Sequence, residues 1–139
     1  MADDLARRAV DELEIRSLIA RLAQYADGLG TVDQYVDLFT EDAEWLMPGA
    51  PRHGRADIRA GSEERRASGT VGPGSNSRHV ITTLAVDLVE RDRAIVDSYW
   101  LYYVETHEVP RLTLVGHYHD TVVRDGDTWR VSRREIAFG

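Results

Sequence analysis

The chain has 139 residues, a length that fits one domain around one hydrophobic core, so we expect residues 1–139 to form a single domain. Asp and Glu number 24 against 17 basic residues, and the resulting net charge of -7 would repel a phosphate backbone, which argues against a nucleic-acid partner. The chain contains no cysteine, which excludes disulfide bonds, thiolate metal sites and cysteine nucleophiles.

The beginning of the chain and its hydropathy argue against export or membrane insertion. The segment from Met1 to Leu5 is acidic and lacks the basic and apolar regions of a secretory signal. No apolar run approaches the roughly 20 residues that a membrane-spanning helix needs. We therefore expect a cytoplasmic protein with no membrane partner.

Three helices are predicted in the first half of the chain. Over residues 5–29, apolar residues recur mostly every three or four positions with charges between them, which is typical of an amphipathic helix. Thr31, followed three residues later by Gln34, resembles a capping box that opens a second helix over residues 31–39. Residues 56–67 form a third, strongly charged helix.

Long strands are predicted in the second half of the chain. After a short extended run at residues 43–47 and a glycine-rich connecting loop at 68–76, the chain becomes rich in Val, Ile, Thr, Tyr and Trp, which favours β-structure. Short connections between these segments are typical of antiparallel hairpins. The four predicted strands are residues 79–90, 94–105, 111–124 and 128–138.

This order of helices and strands predicts an α+β fold with the helices on one face of the sheet. A long antiparallel or mixed sheet twists strongly and curls, and helices across its concave side close a cavity. We therefore expect a cone-shaped, curved sheet with about three N-terminal helices closing a pocket, and a small hydrophobic molecule as the ligand.

Two titratable residues, Asp27 and His79, are candidates for chemistry in this pocket. Asp27 lies in the last turn of the first predicted helix, where a carboxylate near the apolar stripe is costly unless paired and opposes the helix macrodipole. His79 opens the first long strand, and strand alternation points it into the cone. Histidine moves protons near neutral pH, and a carboxylate on its second ring nitrogen would fix its tautomer. The alternatives are a solvated carboxylate and a packed or surface histidine.

A second pair of histidines lies in the third long strand. Strand alternation places His117 and His119 on one face, and Gly116, Tyr118 and Asp120 on the other. Two histidines at this spacing can bind a metal, but no third ligand of fixed spacing accompanies them. We therefore predict no metal site, and expect both histidines on the convex face in packing or at an interface.

The strand at residues 94–105 is apolar on both faces between Tyr99 and Tyr103. A strand of this kind fits between a pocket on one side and another protein layer on the other. Because a monomer would leave one aromatic face in water, we expect a homodimer or homotrimer formed through the sheet.

Several motifs occur in an order that is similar to that of the SnoaL-like branch of the nuclear-transport-factor-like (NTF2-like) superfamily. They are Glu14-Ile15-Arg16, Tyr25-Ala26-Asp27-Gly28, Leu38-Phe39-Thr40-Glu41-Asp42-Ala43-Glu44-Trp45, His53-Gly54, Ile58, Ser77-Arg78-His79, Gly116-His117-Tyr118-His119-Asp120 and Trp129-Arg130-Val131-Ser132-Arg133-Arg134. The resemblance spans nearly the whole chain and implies a cystatin-like α+β barrel. Within that branch the pattern most resembles lyases of the hexachlorocyclohexane dehydrochlorinase and scytalone dehydratase types, with bile acid 7α-dehydratase more distant.

The resemblance also implies which residues act. His79 and Asp27 match the histidine base and its aspartate partner in those lyases, and Arg134 matches an arginine of the dehydrochlorinase pocket. The pattern departs at Leu22, where the dehydrochlorinase has a lysine and the bile acid enzyme a tyrosine, so assistance to the leaving group differs. The expected substrate-binding residues are Arg134, Tyr118, Trp45, Tyr25, Leu22 and Phe138.

We therefore expect a cofactor-free lyase, a dehydratase or related enzyme, in which the His79–Asp27 pair removes a proton from a small hydrophobic cyclic substrate. One alternative is a ketosteroid-isomerase-like isomerase or polyketide cyclase that uses Asp27 as the base. The other is a non-catalytic small-molecule-binding or assembly subunit, in which the two residues have no catalytic role.

Overall fold

The computed structural model describes residues 2–139, which form three helices and six strands. In chain order the elements are α1 (Ala2–Ala26), α2 (Val32–Val36), β1 (Phe39–Leu46), β2 (Arg52–His53), α3 (Gly54–Ala67), β3 (Arg78–Glu90), β4 (Arg93–Val104), β5 (Arg111–Asp125) and β6 (Thr128–Phe138). Among these residues, no helix is long and apolar enough to cross a membrane.

The six strands form one curved, mixed sheet in the order β2-β1-β6-β5-β4-β3. β1 and β6 run parallel, and every other neighbouring pair is antiparallel. Register shifts interrupt β3 between Thr82 and Ala85 and β5 between Thr121 and Val122, and such irregularities bend strands and increase their twist. The predicted α+β class is confirmed, with β2 and β3 as the two edges of a sheet that curls without closing.

The first helix is amphipathic only in its second half. Its buried face carries Ile15, Leu18, Ile19 and Leu22, which enter the core against the concave side of the sheet. The apolar residues nearer its start are largely exposed, as Leu5 at 71% shows. The helix ends at Ala26, so the predicted end at residue 29 is wrong by three positions.

The second helix is shorter than predicted. Thr31 and Gln34 form the expected capping box, each side chain accepting a hydrogen bond from the other residue's backbone N–H. However, Phe39 begins β1, and the predicted helix over residues 31–39 is wrong beyond residue 36. The reason is tertiary: the Leu38 carbonyl accepts a hydrogen bond from Val131 of β6, and Phe39 is fully buried where the parallel pairing starts.

The predicted long strands are confirmed within two residues at each end, and their alternation creates two distinct faces. The concave face carries the apolar core, including Val96, Trp100, Tyr118 and Val122. The opposite, outer face carries the intervening residues and is more exposed, since Tyr99 is 52% accessible. The helices cover only the concave face, so both the core and the cavity lie on that side.

Candidate active site

A buried carboxylate and an imidazole meet where the end of α1 approaches the start of β3. The Nδ1 atom of His79 lies 2.7 Å from Oδ1 of Asp27, and the backbone N–H of His79 donates to Oδ2 at 2.9 Å. The Asp27 side chain is 3% exposed and the His79 side chain 18%. Both carboxylate oxygens are therefore occupied by one residue that is 52 positions away in the chain.

Local backbone geometry holds Asp27 in this position. Its N–H donates to the carbonyl of Ala23, so it continues the last turn and is the first residue beyond α1. Gly28 then has a φ of +99°, and a Cβ at this position would overlap with Pro73 of the loop before β3. The glycine lets the chain turn sharply, which brings the helix end against the strand that carries His79.

The contact fixes the protonation pattern of the imidazole. A carboxylate only accepts hydrogen bonds, so the proton lies on Nδ1 of His79 and the lone pair lies on Nε2. The negative charge of Asp27 also stabilises the imidazolium that forms when Nε2 takes a proton. The pair can therefore act as a general base through Nε2.

His79 is one wall residue of a cavity of about 160 Å³ between the helices and the concave face. The walls are mainly apolar and aromatic, with a few polar groups among them. They include Leu22, Trp45, Met47, Val71, Trp100, Leu114, Ile136 and Phe138, together with the polar-tipped side chains of Tyr35, Arg65, Tyr102, Tyr118 and Arg134. Such a mostly apolar cleft with a few convergent polar groups is typical of small-molecule sites.

A buried ion pair forms the wall that β5 and β6 contribute. Nε and Nη2 of Arg134 donate to the two carboxylate oxygens of Asp120 at 2.8 and 3.0 Å. The two residues are direct cross-strand neighbours, and both are almost fully buried. The Arg134 guanidinium also lies 3.8 Å from the centre of the Tyr118 ring, which in turn stacks on Trp100.

These surroundings keep the Tyr118 hydroxyl and the Arg134 guanidinium protonated. Burial raises the pKa of the Tyr118 hydroxyl, because the phenolate would lose its hydration. Burial by itself would lower the pKa of Arg134, but attraction to Asp120 and the hydrogen bonds between them raise it. The cavity is therefore lined by a hydroxyl and a guanidinium that can both donate hydrogen bonds.

The glycine-rich loop at residues 68–76 forms part of the wall. Thr70 and Val71 line the cavity, and the Thr70 carbonyl accepts hydrogen bonds from the Tyr102 and Ser77 hydroxyls. The Arg65 guanidinium, also at the cavity wall, lies 4.5 Å from the centre of the Trp45 ring. The loop was predicted as a connector, and it also encloses the cavity.

The structure brings most of the predicted site residues together. His79, Arg134, Tyr118, Trp45, Leu22 and Phe138 all line the cavity, and Asp27 lies directly behind His79. Tyr25 does not line it: its ring packs against Gly30, with the Arg21 guanidinium 5.9 Å from the ring centre. Contact between Tyr25 and the substrate stays a prediction, because this ring is not among the residues that line the cavity.

Two residues of the candidate site, Asp120 and Arg65, are not predicted from the sequence. Strand alternation correctly places Asp120 on the same face as Tyr118. A carboxylate on the buried face of a strand needs a partner, and this position was therefore a signal that Asp120 takes part in a buried ion pair. Arg65 gave no signal, because it is one of several arginines on a charged helix. The outer face also carries a group of possible metal ligands, Asp97, His117 and His119, on the opposite side of the sheet from the cavity.

The chain is similar to several known proteins. The SnoaL-like domain matches residues 7–135. An NTF2-like protein with a cystatin-like fold from Novosphingobium aromaticivorans is 28% identical, with a TM-score of 0.86 over 99% of this chain and 87% of that one. A candidate scytalone dehydratase from the same organism is 25% identical, with a TM-score of 0.79 over 100% of this chain and 89% of that one.

A third structure, ActVI-ORFA from Streptomyces coelicolor, is 24% identical, with a TM-score of 0.77 over 91% of this chain and 96% of that one, a likeness in fold alone. No curated protein matches the chain. The fold is thus NTF2-like and cystatin-like, as the motifs predicted. Because the domain match covers nearly every residue, this chain belongs to the SnoaL-like domain family.

Proposed function

We propose that this protein is a cofactor-free lyase that eliminates water, or a related leaving group, from a small hydrophobic cyclic substrate. The observation that carries the proposal is the 2.7 Å contact between His79 Nδ1 and Asp27 Oδ1 at the wall of an apolar cavity. A base whose tautomer is fixed by a buried carboxylate is suited to removing a proton from carbon. The likeness to a candidate scytalone dehydratase supports the same class of reaction.

The elimination begins with removal of a proton from carbon and ends with release of water. Nε2 of His79 takes a proton from a ring carbon, and the electron pair of that C–H bond becomes the new π bond. The bond from the neighbouring carbon to the hydroxyl breaks, and the departing oxygen keeps its electron pair. The imidazolium, stabilised by Asp27, returns the proton to this oxygen, so the products are the unsaturated ring and water.

Tyr118 and Arg134 assist through hydrogen bonds. Negative charge develops on an enolate or on the departing oxygen, and donors fixed in a cavity with little water stabilise it strongly. Tyr118 keeps its proton because burial raises its pKa, and Arg134 is held in place by Asp120. Neither group must reorganise during the reaction, which is the main advantage of a preformed site.

The cavity supports a compact ring as the substrate. Its volume of about 160 Å³ is close to that of an engineered cavity of about 150 Å³ that accepts benzene. The aromatic side chains of Trp45, Trp100 and Phe138 in its lining suit a planar or nearly planar ring. We therefore propose a substrate with one or two rings, an enolisable C–H bond and a neighbouring hydroxyl.

The experiment is a mass-spectrometric assay on a panel of cyclic β-hydroxy ketones and halogenated rings. We expect loss of water or of acid from at least one compound. His79→Ala is expected to reduce turnover about 10²–10⁴-fold, whereas His107→Ala, which removes an exposed histidine outside the cavity, leaves turnover unchanged. Equal turnover by wild type and His79→Ala would contradict the proposed base.

The same assay separates the alternatives. A product of unchanged mass indicates an isomerase or cyclase, and tight binding without any product indicates a binding subunit. The geometry disfavours Asp27 as the direct base, because its side chain is buried and both of its oxygens accept hydrogen bonds from His79. An isomerase on this scaffold would therefore also use His79.

We also propose that copies of the chain associate through the outer face, in a cytoplasmic protein. Val80, Tyr99 and Val115 lie together on this face and are each about half exposed, which supports a second copy as the cover. Light scattering on Tyr99→Glu is expected to show a smaller species than wild type. An unchanged mass would contradict an interface at this position.

A further inference from the structure

The outer face of the sheet carries a second group of titratable side chains, separate from the cavity. Asp97 in β4 and His117 and His119 in β5 each offer one ligand atom, and these atoms all lie within 4.8 Å of one another. Oδ1 of Asp97 lies 2.9 Å from Nε2 of His117 and 2.7 Å from Nδ1 of His119. Each side chain is about two-fifths exposed in a single copy of the chain.

The sheet holds these ligands rigidly. Asp97 and His119 are direct cross-strand partners, and His117 lies two positions earlier on the same face. β4 and β5 are inner strands, each paired on both sides, so their backbones are fixed by two hydrogen-bonded ladders. The Tyr99 ring meets His117 edge-on at 6.1 Å between ring centres and restricts the imidazole. The ligands are therefore preorganised by the strands and not by a loop.

The hydrogen bonds show that the ring nitrogens converge on one point. A carboxylate oxygen accepts but does not donate, so His117 must carry its proton on Nε2 and His119 on Nδ1 for both contacts to form. Two protons are thus held between three ligand atoms. A divalent cation takes their place when each imidazole moves its proton to its other ring nitrogen, so that the nitrogen facing Asp97 provides its lone pair to the metal.

We propose that Asp97, His117 and His119 form a binding site for a divalent transition-metal ion, with Zn²⁺ as the best fit. Two imidazoles and one carboxylate are a common donor set for this ion. Ligand bonds of about 2.0–2.2 Å in a tetrahedron separate the ligand atoms by about 3.3–3.6 Å. The 2.7 and 2.9 Å contacts therefore need to open by about 0.4–0.9 Å, which side-chain rotations provide.

The fourth coordination position has a candidate in the neighbouring strand. Glu135 of β6 is the direct cross-strand partner of His119 and lies on the same face. Its carboxylate pairs with Arg133 at 2.9 Å, so it either replaces that contact to bind the ion or leaves the position to water. In both cases the metal lies on the opposite face of the sheet from His79, and its binding does not depend on the proposed elimination.

The test is titration of the 139-residue chain, without a histidine tag and after removal of metals with a chelator. We expect isothermal titration with Zn²⁺ to show one site, and Co²⁺ to give the visible absorption of a four-coordinate ion. Loss of a second-shell partner typically weakens metal binding 10–100-fold, so loss of a ligand in His117→Ala or His119→Ala is expected to weaken it by about 100-fold or more. His53→Ala and His107→Ala serve as matched controls that leave the affinity unchanged.

Three results would overturn the site. They are the absence of Zn²⁺ binding by wild type in the micromolar range, equal affinity in wild type and the His117→Ala/His119→Ala double variant, and loss of affinity in His79→Ala. The last result would move the ion to the cavity. His119→Gln and Asp97→Asn, which keep similar side-chain volumes, provide the same comparison if an alanine variant is poorly folded by circular dichroism.

Discussion

The carboxylate of Asp27 binds His79 twice, through the ring Nδ1 at 2.7 Å and through the backbone N–H at 2.9 Å. This double contact fixes both the place and the tautomer of the imidazole. Because the two groups come from α1 and β3, the proposed base exists only when the helix is docked on the sheet.

Asp27→Asn is expected to disturb the tautomer of His79 while the fold is retained. The amide has no charge, and its NH₂ group would face one of the two N–H donors of His79. We expect ¹⁵N NMR to change from a ring protonated on Nδ1 to a mixture of tautomers, and turnover to fall about 10²–10⁴-fold. Asp3→Asn, which changes an exposed carboxylate at the start of α1, is the control and should change neither.

Wild-type ¹⁵N spectra that show a His79 ring protonated on Nε2 would contradict this assignment. This measurement needs no substrate, so it tests the geometry separately from the proposed reaction.

For the buried pair of Asp120 and Arg134, we expect a single substitution to lower the unfolding free energy much more than a substitution of both residues. Asp120→Ala leaves a buried guanidinium without its partner, which typically costs about 3–5 kcal/mol of unfolding free energy. Replacing both residues in Asp120→Leu/Arg134→Met removes the charges together and should cost much less. Urea unfolding measures the stability of both variants. Glu90→Ala is the surface control: it breaks an exposed ion pair with Arg93 and should lower the unfolding free energy by at most about 1 kcal/mol.

Equal losses of stability in Asp120→Ala and Glu90→Ala would show that the Arg134 guanidinium finds water or another partner. The loss of stability in the double variant would then measure the change in packing and not the removal of the charges.

Gly116 provides the space for Trp100 on the concave face. A Cβ at Gly116 would overlap with the Trp100 ring and with the backbone carbonyl oxygen of Ala137. Gly116→Ala is therefore expected to displace the indole and lower stability by about 1–3 kcal/mol, as overpacking usually does. Near-ultraviolet circular dichroism and thermal unfolding report the two effects. Val109→Ala, at an exposed side chain between β4 and β5, should leave the near-ultraviolet spectrum unchanged.

The Tyr118 hydroxyl is expected to matter for turnover and for stability at high pH. Tyr118→Phe keeps the ring against Trp100 and Arg134 but removes a donor, and loss of one such donor typically reduces turnover about 10²–10³-fold. Because burial raises the pKa of Tyr118, an unfolded chain ionises this group near pH 10 while the folded chain does not. The resulting stability is present below that pH and is lost as the pH rises above it.

Urea unfolding at pH 9 and pH 11 measures this loss. Wild type should lose more stability between the two values than Tyr118→Phe, since the other tyrosines are common to both. An identical loss would mean that Tyr118 ionises as easily in the folded chain as in the unfolded one.

Local patterns predicted the elements well wherever one physical signal dominated. The richness of four segments in Val, Ile, Thr, Tyr and Trp predicted the four long strands, and the Thr31–Gln34 pair predicted the start of α2. The error at Phe39 has a tertiary origin. Phe39 begins β1 because it pairs in parallel with β6, which lies about 90 residues later in the chain. A pairing of this kind cannot be predicted from the residues next to Phe39.

The sequence alone determined the chain's class, its order of helices and strands, its negative charge and the faces on which residues 116–120 of β5 lie, because these depend on composition and on spacing between neighbours. Only the tertiary structure decided which charged groups meet. Asp27 and His79, Asp120 and Arg134, and Asp97 with His117 and His119 are each joined by strand register or helix docking. Ion pairs and hydrogen bonds form only when the two groups lie within a few ångströms of each other. For residues far apart in the chain, a distance this short is set by tertiary packing.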